Sequence, residues 1–200
     1  MTTLLGLDVT GRPVLVAGGG PVAARRAGVL AADGALVTVV APRLCEDLRR
    51  LVACGAVTWA ERKVAETDVD GAWLVHAATD DPGVNDALCT WASARRVWSV
   101  NAGNGERGTA RTPATTVHAG LAVGVVSTGR PDPARVAAVR DALDLTLTSG
   151  RVDLRARRPP GGRGGHVGRG GDGHAACTEH EGSPAVLLVG AGAGLPTGRT

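Results

Sequence analysis

Hydrophobic and polar positions along the first hundred residues follow two periods in turn. Short apolar runs occur at Pro13 to Ala17 (P-V-L-V-A), Leu36 to Val40, Val57 to Ala60, Ala72 to Ala78 (A-W-L-V-H-A-A) and Val97 to Asn101. Between them apolar residues recur at helical spacing: Val22, Ala23, Val29 and Leu30 carry a helix from Pro21 to Asp33-Gly34, Leu44 to Cys54 a second one ended by Gly55, and Val84 to Arg95 a third. Such periods predict strands alternating with helices, and hence a parallel sheet covered on both faces. Ligands of such sheets lie beyond the strand C-termini. The segments Gly18 to Val22, Ala41 to Arg43, Ala78 to Asp81 and Asn101 to Asn104 are therefore expected to line one crevice.

The first strand runs directly into Gly18, Gly19 and Gly20, then Pro21-Val22-Ala23 at the start of the helix. Glycines let the backbone turn sharply and approach a pyrophosphate, and free N–H groups at the helix start offer it hydrogen bonds and a favourable dipole. Pro21 suits an early helical position, and Ala23, where the fingerprint has its third glycine, still permits close packing of helix on strand. A glycine motif alone is weak, but strand, turn and helix agree here, and the turn is read as a dinucleotide-binding one. The acidic residue usual at the end of the second strand is missing; Ala41, Pro42 and Arg43 stand there. Arg43 leaves two readings, a contact to a 2′-phosphate that would favour NADP, or an exposed loop arginine.

From Thr109 the pattern changes. Thr112 to His118 and Gly120 to Ser127 read as two extended segments, Thr128 to Pro133 as a turn, and Ala134 to Leu145 as a helix with Val136, Val139, Leu143 and Leu145 apolar. A unit this small cannot bury its apolar faces alone, so it packs on the first domain or on a second subunit. Beyond Ser149 the chain is rich in arginine and glycine and poor in apolar residues, a linker expected to be disordered. The expected division is 1–113 for the nucleotide domain, 114–148 for the β-plus-helix segment, 149–184 for the linker and 185–200 for a final apolar stretch. His166, His174, Cys177 and His180 match no compact zinc pattern, and no metal site is expected.

Composition narrows the picture in three ways. With Phe and Tyr absent and four tryptophans the only aromatics, the core is built from Val, Leu and Ala. The net charge of +3 implies no nucleic-acid partner. The four cysteines show no CxxC spacing and follow no secretory signal, and no apolar run reaches the roughly eighteen residues of a membrane span. A reduced, cytoplasmic protein is expected.

Several motifs together carry a family likeness. Leu7-x-Val9-x-Gly11-Arg12 precedes V-L-V-A-G-G-G-P-V-A; then come V-V-A-P, A-A-T-D-D-P-x-V-N (Ala77 to Asn85), T-P-A (Thr112 to Ala114) and V-S-T-G (Val126 to Gly129) before a helix. Over about residues 3–147 this resembles the N-terminal module of siroheme synthase, the precorrin-2 dehydrogenase and sirohydrochlorin ferrochelatase family. The resemblance implies a Rossmann-type α/β domain followed by a small dimerisation segment. It further implies NAD-dependent oxidation of precorrin-2 to sirohydrochlorin, insertion of ferrous iron as a substrate in some members, and a homodimer. Carried over by motif, Gly18, Gly19, Gly20, Pro21 and Val22 would face the pyrophosphate, Ala41, Pro42 and Arg43 the adenosine ribose, and Ala78, Thr79 and Asp80 the nicotinamide side. The family preference is for NAD. Ser127 and Thr128, in the S-x-G turn, would lie near the tetrapyrrole.

The chain departs from that pattern twice. The family places a catalytic aspartate in the loop after the strand ending at Asn101, and Asn104 occupies that position here. An amide cannot accept a proton; Glu106 is a weak substitute, and Asp80, Asp81 and His118 match no family motif. Ala185 to Gly194 looks like the first strand and glycine loop of the methyltransferase domain found in bifunctional members, cut off at Thr200, so no uroporphyrinogen methylation is expected. The leading expectation is the dehydrogenase, impaired by Asn104. Its rival is a non-catalytic NAD-binding regulatory module or a decayed enzyme.

Overall fold

The computed structural model describes residues 2–154 and the backbone of residues 185–188. The described chain divides into two compact units, one of Met1–Thr112 with Thr128–Pro131, the other of Pro113–Ser127 with the chain from Asp132 onward.

The first unit is built on five parallel strands, β1 (Pro13–Ala17), β2 (Leu36–Val40), β3 (Thr58–Ala60), β4 (Leu74–Ala77) and β5 (Trp98–Asn101), in the order β3-β2-β1-β4-β5. Helices α1 (Pro21–Ala32), α2 (Glu46–Ala53) and α3 (Pro82–Ala94) make the crossovers, and a single 3-10 turn, Glu66–Val69, precedes β4. Successive strand residues feed two cores. Val14 and Val16 of β1 join Ala23, Ala27 and Leu48 of α1 and α2, while Leu15 and Ala17 join Leu88, Cys89 and Ala92 of α3. Both faces are therefore dry, which is why the strands read as continuous apolar runs. No aromatic residue is fully buried; the tryptophans pack at the margins, Trp73 beneath the Arg12 guanidinium at 5.4 Å.

Strand order reverses between β1 and β4, whose registers with one another and with β2 keep Ala17, Val40 and Ala77 level at the C-terminal edge. Two crossovers leave in opposite directions there and open a crevice at the switch point. Parallel sheet and flanking helices match the pattern of apolar runs; β1 and β2 have the expected bounds, while β3, β4 and β5 are shorter than their runs by one to three residues.

The second unit carries the antiparallel pair β6 (Ala114–His118) and β7 (Leu121–Val125), helix α4 (Pro133–Thr148) and β8 (Ala185–Leu188), which runs parallel to β7. Ala119 (φ 50°) and Gly120 (φ 77°) form the tight hairpin, and Asp132 caps α4 by accepting from the Arg135 N–H at 3.0 Å. The linker and the histidine-containing stretch from residue 155 to 184, and the glycine loop after β8, lie outside the described residues.

Candidate functional site

The glycine turn is shaped by close approaches. A Cβ on Gly18, which has φ +122°, would stand 2.2 Å from the Ala78 carbonyl oxygen, and one on Gly19 would stand 1.8 Å from that of Arg43. Gly18 donates to the Val40 carbonyl at 3.1 Å, and the Gly19 carbonyl accepts from the Cys45 N–H at 2.7 Å. These bonds tie the turn to the end of β2 and to the residue that precedes α2. Gly20 differs, for a Cβ there would meet nothing within 4 Å. It caps α1 without a side-chain hydrogen bond, and Pro21 follows at the first helical position. The turn is thus packed on its protein side and bare on the other, with first-turn N–H groups that no cap occupies.

Around it lies a crevice of about 730 Å³, lined by Gly18 to Val22, Val40 to Arg43, Lys63, Val64, Ala78 to Asp81 and Val84. Every residue expected at the pyrophosphate, the adenosine ribose and the nicotinamide side is in that lining. The walls fit a dinucleotide: room for its volume, an open glycine against which a phosphate can lie, apolar patches for flat rings, and charged side chains at either end.

Each wall is held by a specific bond. Trp59 Nε1 donates to the Ala41 carbonyl at 2.9 Å, fixing the end of β2 against β3. On the other side buried Asn85 clamps Thr79: its Oδ1 accepts from the Thr79 N–H at 3.0 Å and the Thr79 hydroxyl at 2.8 Å, while its Nδ2 donates to the Thr79 carbonyl at 3.0 Å. Asp81 caps α3, accepting from the N–H groups of Gly83 at 2.8 Å and Val84 at 3.2 Å. That carboxylate is engaged as a helix cap, which sets it apart from the role of base.

The loop after β5 is organised by another buried amide. Asn101 Oδ1 accepts from Gly103 and Asn104 N–H groups at 3.0 and 2.9 Å, and its Nδ2 donates to Asp86 at 3.0 Å. Asn104 Oδ1 in turn accepts from the Glu106 N–H at 3.0 Å. Both Asn104 and Glu106 are exposed, and neither lines the nucleotide crevice. Thr128 is exposed too, its carbonyl 3.5 Å from the Thr2 hydroxyl, and Arg111 holds the neighbouring Gly129 carbonyl at 2.7 Å. In the second unit the Ser127 hydroxyl accepts from the Asp132 N–H at 3.2 Å.

His118 belongs to a local polar cluster of that unit. Its Nε2 lies 2.8 Å from Asp144 Oδ1 and 3.2 Å from the Thr116 hydroxyl, which also bonds Asp144. Bonds from Thr116 and then His118 hold the Asp144 carboxyl below the usual carboxylate range. The cluster ties β6 to α4 and accounts for His118 as a structural residue. No group of three or more metal-ligating side chains occurs among the described residues.

Residues that pattern reading passed over include Asn85, quoted in its motif but given no role, Asn101, and Lys63. A buried amide beside a strand end leaves no periodic signal. Lys63 sits in a connection whose only sequence mark is its place after β3.

The family model described as putative NAD(P)-binding matches residues 5–114. The chain belongs to that family. The match ends at the first residue of β6 and takes in all five strands and all three helices of the nucleotide unit. Among curated relatives of this NAD(P)-binding chain, siroheme synthase 3 of Aeromonas hydrophila is 35% identical over 136 residues, 68% of this chain and 29% of that protein. The siroheme synthase of Photorhabdus laumondii is 41% identical over 91 residues, 46% of this chain and 19% of its own. The chain thus spans less than a third of the length of these relatives. Among solved structures, one described as SirC, precorrin-2 dehydrogenase, superposes with a TM-score of 0.62 at 28% identity, covering 73% of this chain and 71% of that one. The likeness to the N-terminal module of siroheme synthase holds in both sequence and fold.

Proposed function

We propose that this chain oxidises precorrin-2 to sirohydrochlorin with NAD as the hydride acceptor, in the supply of siroheme. The observation that carries this reading is the likeness to a precorrin-2 dehydrogenase over nearly three quarters of the chain, on a crevice whose bare Gly20 and uncapped helix start suit a pyrophosphate. When bound, the nicotinamide ring supplies the carbon that takes the hydride. The protein's own part is positioning. N–H groups of the first turn of α1 hold the pyrophosphate, Asn85 fixes the Thr79 backbone on the nicotinamide side, and Val40, Val64 and Val84 give the crevice apolar wall.

The reaction also releases a proton, and here the chain is poorly equipped. Asn104 offers an amide whose oxygen is already engaged, so the loss of a general base costs roughly a hundred- to ten-thousand-fold in rate. Glu106 is the loop's carboxylate and takes the proton slowly. Insertion of ferrous iron, as substrate, needs pyrrole protons removed and suffers from the same deficit. The protein acts as a homodimer, through the second unit, in the cytoplasm. A second reading, a non-catalytic nucleotide-binding module, draws on the same engaged amide at position 104.

The experiment is anaerobic turnover of enzymatically generated precorrin-2 with NAD, followed by NADH absorbance, for wild type beside Asn104→Asp. Slow turnover by wild type and a faster variant are expected. Activity in Asn104→Asp alone would identify a decayed enzyme on an intact scaffold, and silence from both would leave the binding module.

A further inference from the structure

Helix α3 holds two loops with two consecutive side chains. Asn85 clamps Thr79 just past the end of β4, and the next residue, Asp86, reaches the end of β5, where its Oδ1 accepts from Asn101 Nδ2 at 3.0 Å. Those strand ends are level, for Ala77 pairs with Asn101 and the Ala102 N–H donates to the Ala77 carbonyl at 2.9 Å. The chain then turns at once: Asn101 Oδ1 takes the N–H groups of Gly103 and Asn104, and the Arg107 N–H donates to the Asn104 carbonyl at 3.0 Å. Farther on the loop lies against β5 where no side chain fits, since a Cβ on Gly108 would stand 2.6 Å from the Ser99 carbonyl oxygen. Position 104 therefore hangs on the buried amide of Asn101, and that amide on the carboxylate of Asp86.

Asp86 decides which end of Asn101 faces the loop. A carboxylate only accepts, so it draws Nδ2 to its own side and leaves Oδ1 for the two loop N–H groups. Asp86 also lies 3.4 Å from the Arg107 guanidinium, but Arg107 is exposed, and an ion pair so open to water adds little. The bond to Asn101 counts for more, because a buried amide that loses its partner turns away to find another and releases what its oxygen held. We propose that Asp86 is a positioning residue for the loop after β5, acting through Asn101 to hold position 104 beside the end of the sheet. The motif A-A-T-D-D-P-x-V-N stops one residue short of it. The role rests on the precorrin-2 reading, in which position 104 is where a proton acceptor serves.

The test places Asp86→Ala and Asp86→Asn in the full chain carrying Asn104→Asp and reads kcat and KM for precorrin-2 with NAD. Hydrogen exchange at the amides of residues 103 and 104, followed by NMR, is read on the same chains. Asp86→Ala should lower kcat roughly ten- to a hundredfold with KM held within about twofold, the signature of a misplaced reacting group. It should also speed exchange at both amides on the order of tenfold. Asp86→Asn still offers an oxygen to Asn101 Nδ2 and should keep kcat within about threefold and exchange near its starting rate. A loss confined to KM, or unchanged exchange in Asp86→Ala, overturns the positioning role. Asp86→Asn as damaged as Asp86→Ala overturns it too, since the effect would then belong to the charge facing Arg107. No turnover in Asn104→Asp itself, with exchange responding as expected, sinks the precorrin-2 reading and the role with it, and so is told apart from a failure of Asp86 alone.

Discussion

At the scale of single residues, the three glycines of the turn have different jobs and so predict different failures. Gly19→Ala drives a Cβ onto the Arg43 carbonyl, backbone against backbone, and should destabilise the fold by roughly 1–3 kcal/mol. Gly20→Ala has free space and an ordinary φ of −89°, so its melting temperature should stay at the wild-type value. Its methyl group stands where a phosphate must approach, and affinity for NAD should fall on the order of tenfold. Thermal denaturation and nucleotide titration on the two variants separate the roles; equal loss of stability in both would contradict the assignment. Buried His76 on β4 gives a second residue-scale prediction. Burial, with some help from the Arg26 guanidinium, pushes its pKa down from 6.5 to about 4. The unfolded chain takes up this proton near pH 6.5 and the native one does not, so His76 favours the fold above that pH. As pH falls from 6.5 towards 4, about 3 kcal/mol of stability is lost. Urea unfolding of His76→Val at pH 7 and pH 4.5 should show a smaller drop than wild type; an identical drop would place the titrating group elsewhere. The glycine turn was plain from sequence because it is contiguous. His76 was legible only as part of an apolar strand, since what covers it comes from a different element.

At the scale of elements, the strands and helices were legible because each apolar run is bounded by glycine, proline or a polar cap that acts within a few residues. α4 extends to Thr148, three residues beyond its last expected apolar position. The hydroxyls of Thr146 and Thr148 bond back to the carbonyls of Ala142 and Asp144, satisfying acceptors near the helix end without apolar packing. The 3-10 turn at Glu66–Val69 has one buried residue, Val69, and too little length to show a period. The connection from β4 to α3 illustrates what sequence hides. The motif A-A-T-D-D-P-x-V-N announces a turn, but only the fold shows that Asn85 reaches back to hold Thr79 while Asp81 caps the helix. These two side chains should differ in cost. Asp81→Ala loses a cap worth about 1 kcal/mol and leaves the Asn85–Thr79 clamp in place. Asn85→Ala removes the partner of the half-buried Thr79 backbone, costing roughly 1 kcal/mol, and should also weaken NAD binding because Thr79 lines the crevice. A calorimetric Kd unchanged in Asn85→Ala would show that the clamp serves stability alone.

At the scale of the whole molecule, the two units are unequal in what they bury. The nucleotide unit supplies nearly all of the buried hydrophobic residues, whereas α4 has none over sixteen residues. α4 lies along β6 and β7, yet Val139 and Leu145 remain 42% and 72% exposed, and Val117 on β6 is 58% exposed. β6 also stands at the edge of its sheet, with one side's backbone groups unpaired by another described strand. A helix this long owes its stability mainly to tertiary packing, and an open strand edge invites pairing with another chain. A second copy of the same unit answers both needs, since a twofold contact presents the same apolar surface from each side. Sedimentation velocity should therefore give a dimer for the full chain. Introducing Val139→Glu together with Leu145→Glu should shift it to monomer, because paired like charges at a twofold contact repel where apolar area was buried. The nucleotide crevice lies wholly in the first unit, so the monomeric variant should keep its affinity for NAD while precorrin-2 turnover falls. A variant that stays dimeric would move the interface away from α4, and one that becomes monomeric with full turnover would separate assembly from catalysis.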